Sequence, residues 1–100
     1  MLVKIHNAYR QTVAICDSDL IGKKFSSQDG MSKLDLTGGF FQGEETPEER
    51  VLEIIQDAMR EDATFNLVGK KVCDTAKKAG LIKNSGIKTI EGVPFALVLL

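Results

Sequence analysis

Residues 46–80 read TPEERVLEIIQDAMREDATFNLVGKKVCDTAKKAG, and three elements follow one another in that stretch. Thr46-Pro47-Glu48-Glu49 has the form of a capping box, with proline at the first helical position and acids in the first turn. Val51, Leu52, Ile55, Ala58 and Met59 recur at helical spacing, which predicts a helix from about Pro47 to Asp62. Thr64-Phe65-Asn66-Leu67-Val68 then reads as a short strand ending at Gly69. A second helix is expected from Lys70 to Ala79, with Val72, Cys73, Ala76 and Ala79 turned inward. Gly80 would close it in a left-handed cap, and Leu81 and Ile82 would supply the hydrophobic contact that accompanies such a cap.

On the N-terminal side, residues 2–7 and 11–17 alternate like the two arms of a β-hairpin. A loop of odd length around Ala8-Tyr9-Arg10 puts Val3 opposite Ile15 and Ile5 opposite Val13. A two-residue loop would set Lys4 against Val13 and mix the faces. Lys33-Leu34-Asp35-Leu36 alternates as a short strand, and Gly38, Gly39 and Gly43 surround Phe40 and Phe41 in a loop anchored by rings. Ile87–Ile90 and Phe95–Leu100 are expected to be the last two strands, around Glu91-Gly92-Val93-Pro94. The final run is apolar on both faces, which predicts a central strand covered on both sides. These elements make an α+β domain over residues 1–100: a mainly antiparallel sheet of five or six strands carrying two helices on one core.

Composition fits that picture, with 43% hydrophobic and 27% charged residues, as globular domains have. Met1 runs directly into a strand pattern, so no secretory leader is expected. The longest apolar run, Phe95–Leu100, falls far short of the roughly 20 residues a membrane-spanning helix needs. A cytoplasmic protein without membrane contact is expected. Cys16 and Cys73 form no CxxC pair and read as small buried hydrophobes. The net charge is −1, unevenly spread. Residues 44–62 hold eight acids against two arginines, and residues 63–88 hold six lysines against Asp74. Such asymmetry suits either two solvated helix faces or a partner surface.

Five segments carry a resemblance over nearly the whole chain. They are Met1-Leu2-Val3-Lys4, Cys16-Asp17-Ser18-Asp19-Leu20-Ile21-Gly22-Lys23, Phe41-Gln42-Gly43-Glu44, Asn66-Leu67-Val68-Gly69 and Ile90-Glu91-Gly92-Val93-Pro94. In this order they resemble the archaeal family known as domain of unknown function four-two-four. The resemblance implies a compact archaeal protein and assigns no activity. It marks Asp17, Asp19, Gly22, Lys23, Asn66, Gly92 and Pro94 as motif positions. Many members of that family place a histidine directly after the proline of the Gly-Val-Pro segment. Phe95 stands there in this chain, so a catalytic or metal role at that position is not implied.

Candidate chemistry is sparse. Asp17 and Asp19 could begin a calcium or magnesium site, but no twelve-residue calcium loop follows, and a turn-forming role for their oxygens is the simpler reading. His6 is the only histidine, too few nitrogen and sulfur ligands for zinc. No metal and no cofactor is expected. The turn Asn66–Lys71 is the more interesting place. It leads from strand to helix through Gly69 and would offer free backbone amides and lysines to an anion, although it lacks the P-loop spacing. Lys70, Lys71, Lys77 and Lys78 should project away from the apolar face, with Asp74 pairing Lys70 and Lys78.

Three functions follow as expectations. One is a small RNA- or nucleotide-phosphate-binding accessory protein using Gly69, Lys70, Lys71, Lys77 and Lys78. Another is an enzyme with a carboxylate and lysine site among Asp17, Asp19, Lys23 and Lys24. The third is an interaction subunit whose acidic helix, residues 47–62, docks a basic protein.

Overall fold

A computed structural model describes residues 1–100. The chain forms β1 (Leu2–His6), β2 (Thr12–Cys16), β3 (Lys24–Ser26), β4 (Lys33–Asp35), β5 (Glu44–Glu45), α1 (Glu48–Arg60), β6 (Thr64–Val68), α2 (Lys70–Lys78), β7 (Lys88–Ile90) and β8 (Val93–Leu99). Six strands make one mixed sheet in the order β5-β1-β2-β6-β8-β7, and β3 and β4 form a separate hairpin. All neighbours in the large sheet are antiparallel except β2 and β6. That parallel pair needs a crossover, and α1 lies within it. The α+β class and the expected sheet are therefore as the sequence indicates.

The first hairpin has the expected register, with Val3 opposite Ile15 and Ile5 opposite Val13. These residues face the helices. Val3, Val13 and Ile15, with Phe65, Leu67 and Ala96 from the sheet and Val51, Ile55, Ala58, Val72 and Ala76 from α1 and α2, form the main core, while Ile5 stays 42% exposed at its margin. Burying a side chain such as Phe65 completely is worth about 2–3 kcal/mol, so this layer supplies much of the driving force. On the opposite face a smaller cluster of Ala14, Cys16, Leu36, Phe41 and Val68 sits under the β3–β4 hairpin and the Phe41 loop.

Three expectations are corrected here. Thr46 does not cap α1. Pro47 is the N-cap residue, in an extended conformation, and the Thr46 hydroxyl donates instead to the Glu44 carbonyl at 2.9 Å. Pairing of β5 with β1 draws this segment into the sheet, where the Thr46 amide donates to the Met1 carbonyl at 2.7 Å. That pairing turns the side chain away from the helix. Nor is β8 covered on both sides. The strand buried on both faces is β2, because the hairpin covers Ala14 and Cys16 but stops short of Leu97 and Leu99. Those two leucines are 61% and 69% exposed. Finally, Ile90 pairs with Val93, so the last connection is the two-residue turn Glu91-Gly92, both with positive φ, and Pro94 belongs to β8.

Candidate functional site

The carboxyl ends of the parallel strands β2 and β6 lie side by side, Cys16 opposite Val68. The chain leaves β2 at Asp17 and leaves β6 at Gly69, and the two residues meet. The Asp17 amide donates to the Val68 carbonyl at 3.0 Å. Its carboxylate accepts the Val72 amide at 3.0 Å and the Lys71 amide at 3.2 Å, both in the first turn of α2. The sequence suggests why a distant acceptor is needed. Gly69 is the N-cap and offers no side-chain oxygen, and the first turn contains no acid. The orphan amides of the first turn are thus satisfied from a strand end far away in sequence, by a negative charge at the positive pole of the helix. Asp17 is a helix cap for α2 rather than a local turn former.

Gly69 is required by the same contact. Its φ is +113°, and a Cβ there would stand 2.3 Å from Cγ of Asp17. Its amide donates to the Pro94 carbonyl at 2.8 Å. The Asp17, Gly69 and Pro94 segments therefore converge on one joint. The neighbouring thiols of Cys16 and Cys73 are buried and unpaired. Burial, and secondarily the Asp17 charge, pushes both up to about 11. At neutral pH they are protonated and poor nucleophiles.

This geometry corrects one part of the anion site expected at the Gly69 turn, its supply of free amides. The Lys71 and Val72 amides are not free, because the Asp17 carboxylate already occupies the place a phosphate would take. The other motif positions are spread around the joint. Ser18–Leu20 forms a turn of 3₁₀ helix with Asp19 exposed, and Gly22 donates to the Leu36 carbonyl at 2.7 Å. Lys23 is exposed, Asn66 is half-buried in β6, and Gly92 lies in the β7–β8 turn. No ion pair or hydrogen bond joins Asp17 or Asp19 to the side chains of Lys23 or Lys24. His6 stacks on Phe40 with ring centroids 4.5 Å apart, and its Nε2 lies 2.9 Å from the Phe40 carbonyl oxygen. No three His, Cys, Asp or Glu side chains gather closely enough to hold a metal.

Beside the joint, a cleft of about 360 Å³ separates α2 from the segment that follows it. Lys70, Asp74 and Lys77 stand on the helix wall, and Asn84, Thr89 and Pro94 on the other. Asp74 bridges Lys70 at 3.3 Å and Lys77 at 3.4 Å, and Lys77 also donates to Asn84 at 3.0 Å. Hydrogen bonding from Lys70, then Lys77, holds the Asp74 carboxyl below its usual range. Lys78 does not pair with Asp74 as expected. It reaches across to Glu48 of α1 at 2.7 Å, which raises its own pKa. Lys71 is exposed and makes no ion pair.

The comparisons with known proteins follow the same outline. A family model described as "Protein of unknown function (DUF424)" matches residues 6–100. The chain belongs to this family. Among solved structures, it is similar to an uncharacterized conserved protein from Methanopyrus kandleri. The two are 25% identical, with a TM-score of 0.85 over 97% of this chain and 88% of that one. No curated protein matches. The five segments first noted in this DUF424 chain thus include its structural joints: the Asp17 cap, the Gly69 turn, the β7–β8 turn, and Gly43, where a Cβ would meet the Val3 carbonyl oxygen at 1.9 Å.

Proposed function

We propose that this DUF424 protein is a small cytoplasmic accessory protein of archaeal cells that binds RNA through its backbone phosphates. The observation that supports the reading is the cleft beside α2. It combines two ammonium groups, an amide and a hydroxyl, with the unpaired Lys71 on the adjoining surface. Lys70 and Lys77 are held by Asp74 in exposed ion pairs, which are worth about 0–1 kcal/mol each and yield easily to a phosphate. Lys78, Lys83 and Lys88 extend the basic character of residues 63–88. The Lys71 and Val72 amides take no part, because Asp17 holds them, and the side chains of Lys70, Lys71, Lys77 and Lys78 carry the binding. Two protonated buried cysteines suit a reducing compartment.

The test is retention of a mixed RNA pool at several salt concentrations, for wild type and for Lys70→Glu with Lys71→Glu. Wild-type affinity should fall steeply as salt rises, because neutralised phosphates release their counterions. The double variant should bind about tenfold more weakly at low salt and show a shallower salt slope. Salt-independent retention, or equal binding by the variant, would reject the reading. Nuclease-resistant recovery of one basic protein would favour the interaction subunit docking through the acidic face of α1, and turnover of a screened metabolite would favour an enzyme. The Asp17–Lys24 enzyme has less support, since the Asp17 carboxylate is 7% exposed and already accepts two amides.

A further inference from the structure

The outer edge of β8 is open, and its geometry fixes what can close it. Pro94 directs its carbonyl to Gly69, and Val68 and Thr64 bond toward the β2 side. Along β8, the main-chain groups of Pro94, Ala96 and Val98 therefore point to β6, and those of Val93, Phe95, Leu97 and Leu99 point outward. Val93 and Phe95 lie opposite Ile90 and Lys88 of β7. Beyond Phe95 there is no β7 residue to pair with. The outward N–H and C=O groups of Leu97 and Leu99 make no hydrogen bond within the chain. On one face of the same strand, the two leucine side chains are also uncovered.

Edges of sheets are usually protected by charge, by shortness or by a covering element. The opposite edge has the first two, since β5 is only Glu44–Glu45. From Val93 to Leu100 there is no charged side chain at all. We infer that this edge pairs antiparallel with the same edge of a second copy of the chain, about a two-fold axis through Val98. In that register Leu97 lies opposite Leu99 of the second copy and Leu99 opposite its Leu97. All the free main-chain groups are satisfied at once. The leucines from both copies fall on one face as cross-strand pairs, and the valines meet on the other.

Neighbouring registers fail. An axis through Leu97 would need the partner's Leu99 to bond Phe95, which β7 already holds, an axis through Leu99 would leave Leu97 without a partner, and an axis midway between two residues would set outward groups opposite inward ones. Absence of charge and a palindromic Leu-Val-Leu make the segment self-complementary, as a two-fold interface requires. The joined sheet would run from β5 of one copy to β5 of the other. The inference uses none of the lysines of α2 and is independent of RNA binding.

Sedimentation velocity over a wide range of protein concentration tests this, together with amide exchange. Wild type is expected to be dimeric at high concentration, with the Leu97 and Leu99 amides protected there and exchanging freely on dilution. Leu97→Lys with Leu99→Lys should give monomer, because four cations would face one another across the axis. Leu99→Pro should do the same without touching the β6 ladder, since the Leu99 amide points outward. Circular dichroism identifies variants that retain the fold, and the Pro variant stands in if the lysine pair misfolds. A wild type that stays monomeric at every concentration overturns the inference, as does a dimer that survives both folded variants. Capture of an unrelated peptide strand by an otherwise monomeric protein also overturns it.

Discussion

The start of α2 and the outer edge of β8 pose the same problem and end differently. At both, regular structure runs out and leaves main-chain groups without a neighbour. At the helix, Asp17 comes from another strand end and takes two amides in a site 7% exposed to solvent. At the strand, β7 is three residues long and leaves Leu97 and Leu99 open. The contrast separates a finished joint, which holds the fold together, from an unfinished edge, which is available to something else. It also separates the segments that define the family resemblance from the surface proposed to bind RNA. Asp17, Gly69 and Pro94 serve the joint, and the lysines of α2 stand beside it in solvent.

Breaking the joint should have the largest effect. Asp17→Ala leaves two amides at a helix end without an acceptor, one buried and one partly buried. With hydrogen bonds to a charged group worth about 1.5 kcal/mol or more each, we expect a loss of about 3 kcal/mol in urea denaturation. Asp17→Asn, which keeps one acceptor oxygen, should lose about half of that. Gly69→Ala comes next at about 2 kcal/mol, from a positive φ and a Cβ driven against the Asp17 carboxylate. Combined with Asp17→Ala it should cost less than the sum, because the Asp17 Cγ and Oδ2 that it strikes have gone and only the Cβ remains; strict additivity would show that the two residues do not form one joint.

Alkali offers a third handle. The thiols of Cys16 and Cys73 have folded values near 11 against about 9 when exposed, so the unfolded chain loses those protons first. Their stabilising contribution is complete below pH 9 and is lost as pH rises toward 11. Each thiol contributes at about 1.4 kcal/mol per unit of difference, so stability is expected to decline steadily across that window. Cys16→Ala with Cys73→Ala should flatten the profile, and an unchanged slope would remove the thiols from the explanation.

Effects outside the joint should be small. Lys70→Glu with Lys71→Glu breaks one exposed ion pair but adds acids at a helix N-terminus, so the denaturation midpoint should move by no more than about 0.5 kcal/mol equivalent. Leu97→Thr, on the open face of β8, should change monomer stability by less than about 0.5 kcal/mol. A large loss there would mean that the edge is part of the core after all.

Most of the local structure of this DUF424 chain was legible in the residues themselves. Alternation set the register of the first hairpin, helical spacing set the inward face of α1 and α2, and Gly80, with φ of +81°, ends α2 as its sequence suggests. Each of these depends on side chains a few positions apart, so the pattern is written along the chain. The capping box at Thr46 was equally legible and did not form, because β5 pairs with β1 and carries Thr46 into the sheet. A missing cap at α2 could be noticed in the sequence, since Gly69-Lys70-Lys71 offers no acceptor, but not the identity of Asp17 as its supplier. Likewise the apolar run of β8 could not reveal that the hairpin covers β2 instead. The sequence by itself determined which segments are helix or strand and which faces are apolar. Only the tertiary structure decided which distant carboxylate meets which helix end and which strand edge stays open, because those outcomes depend on how separate elements dock and not on the spacing within any one of them.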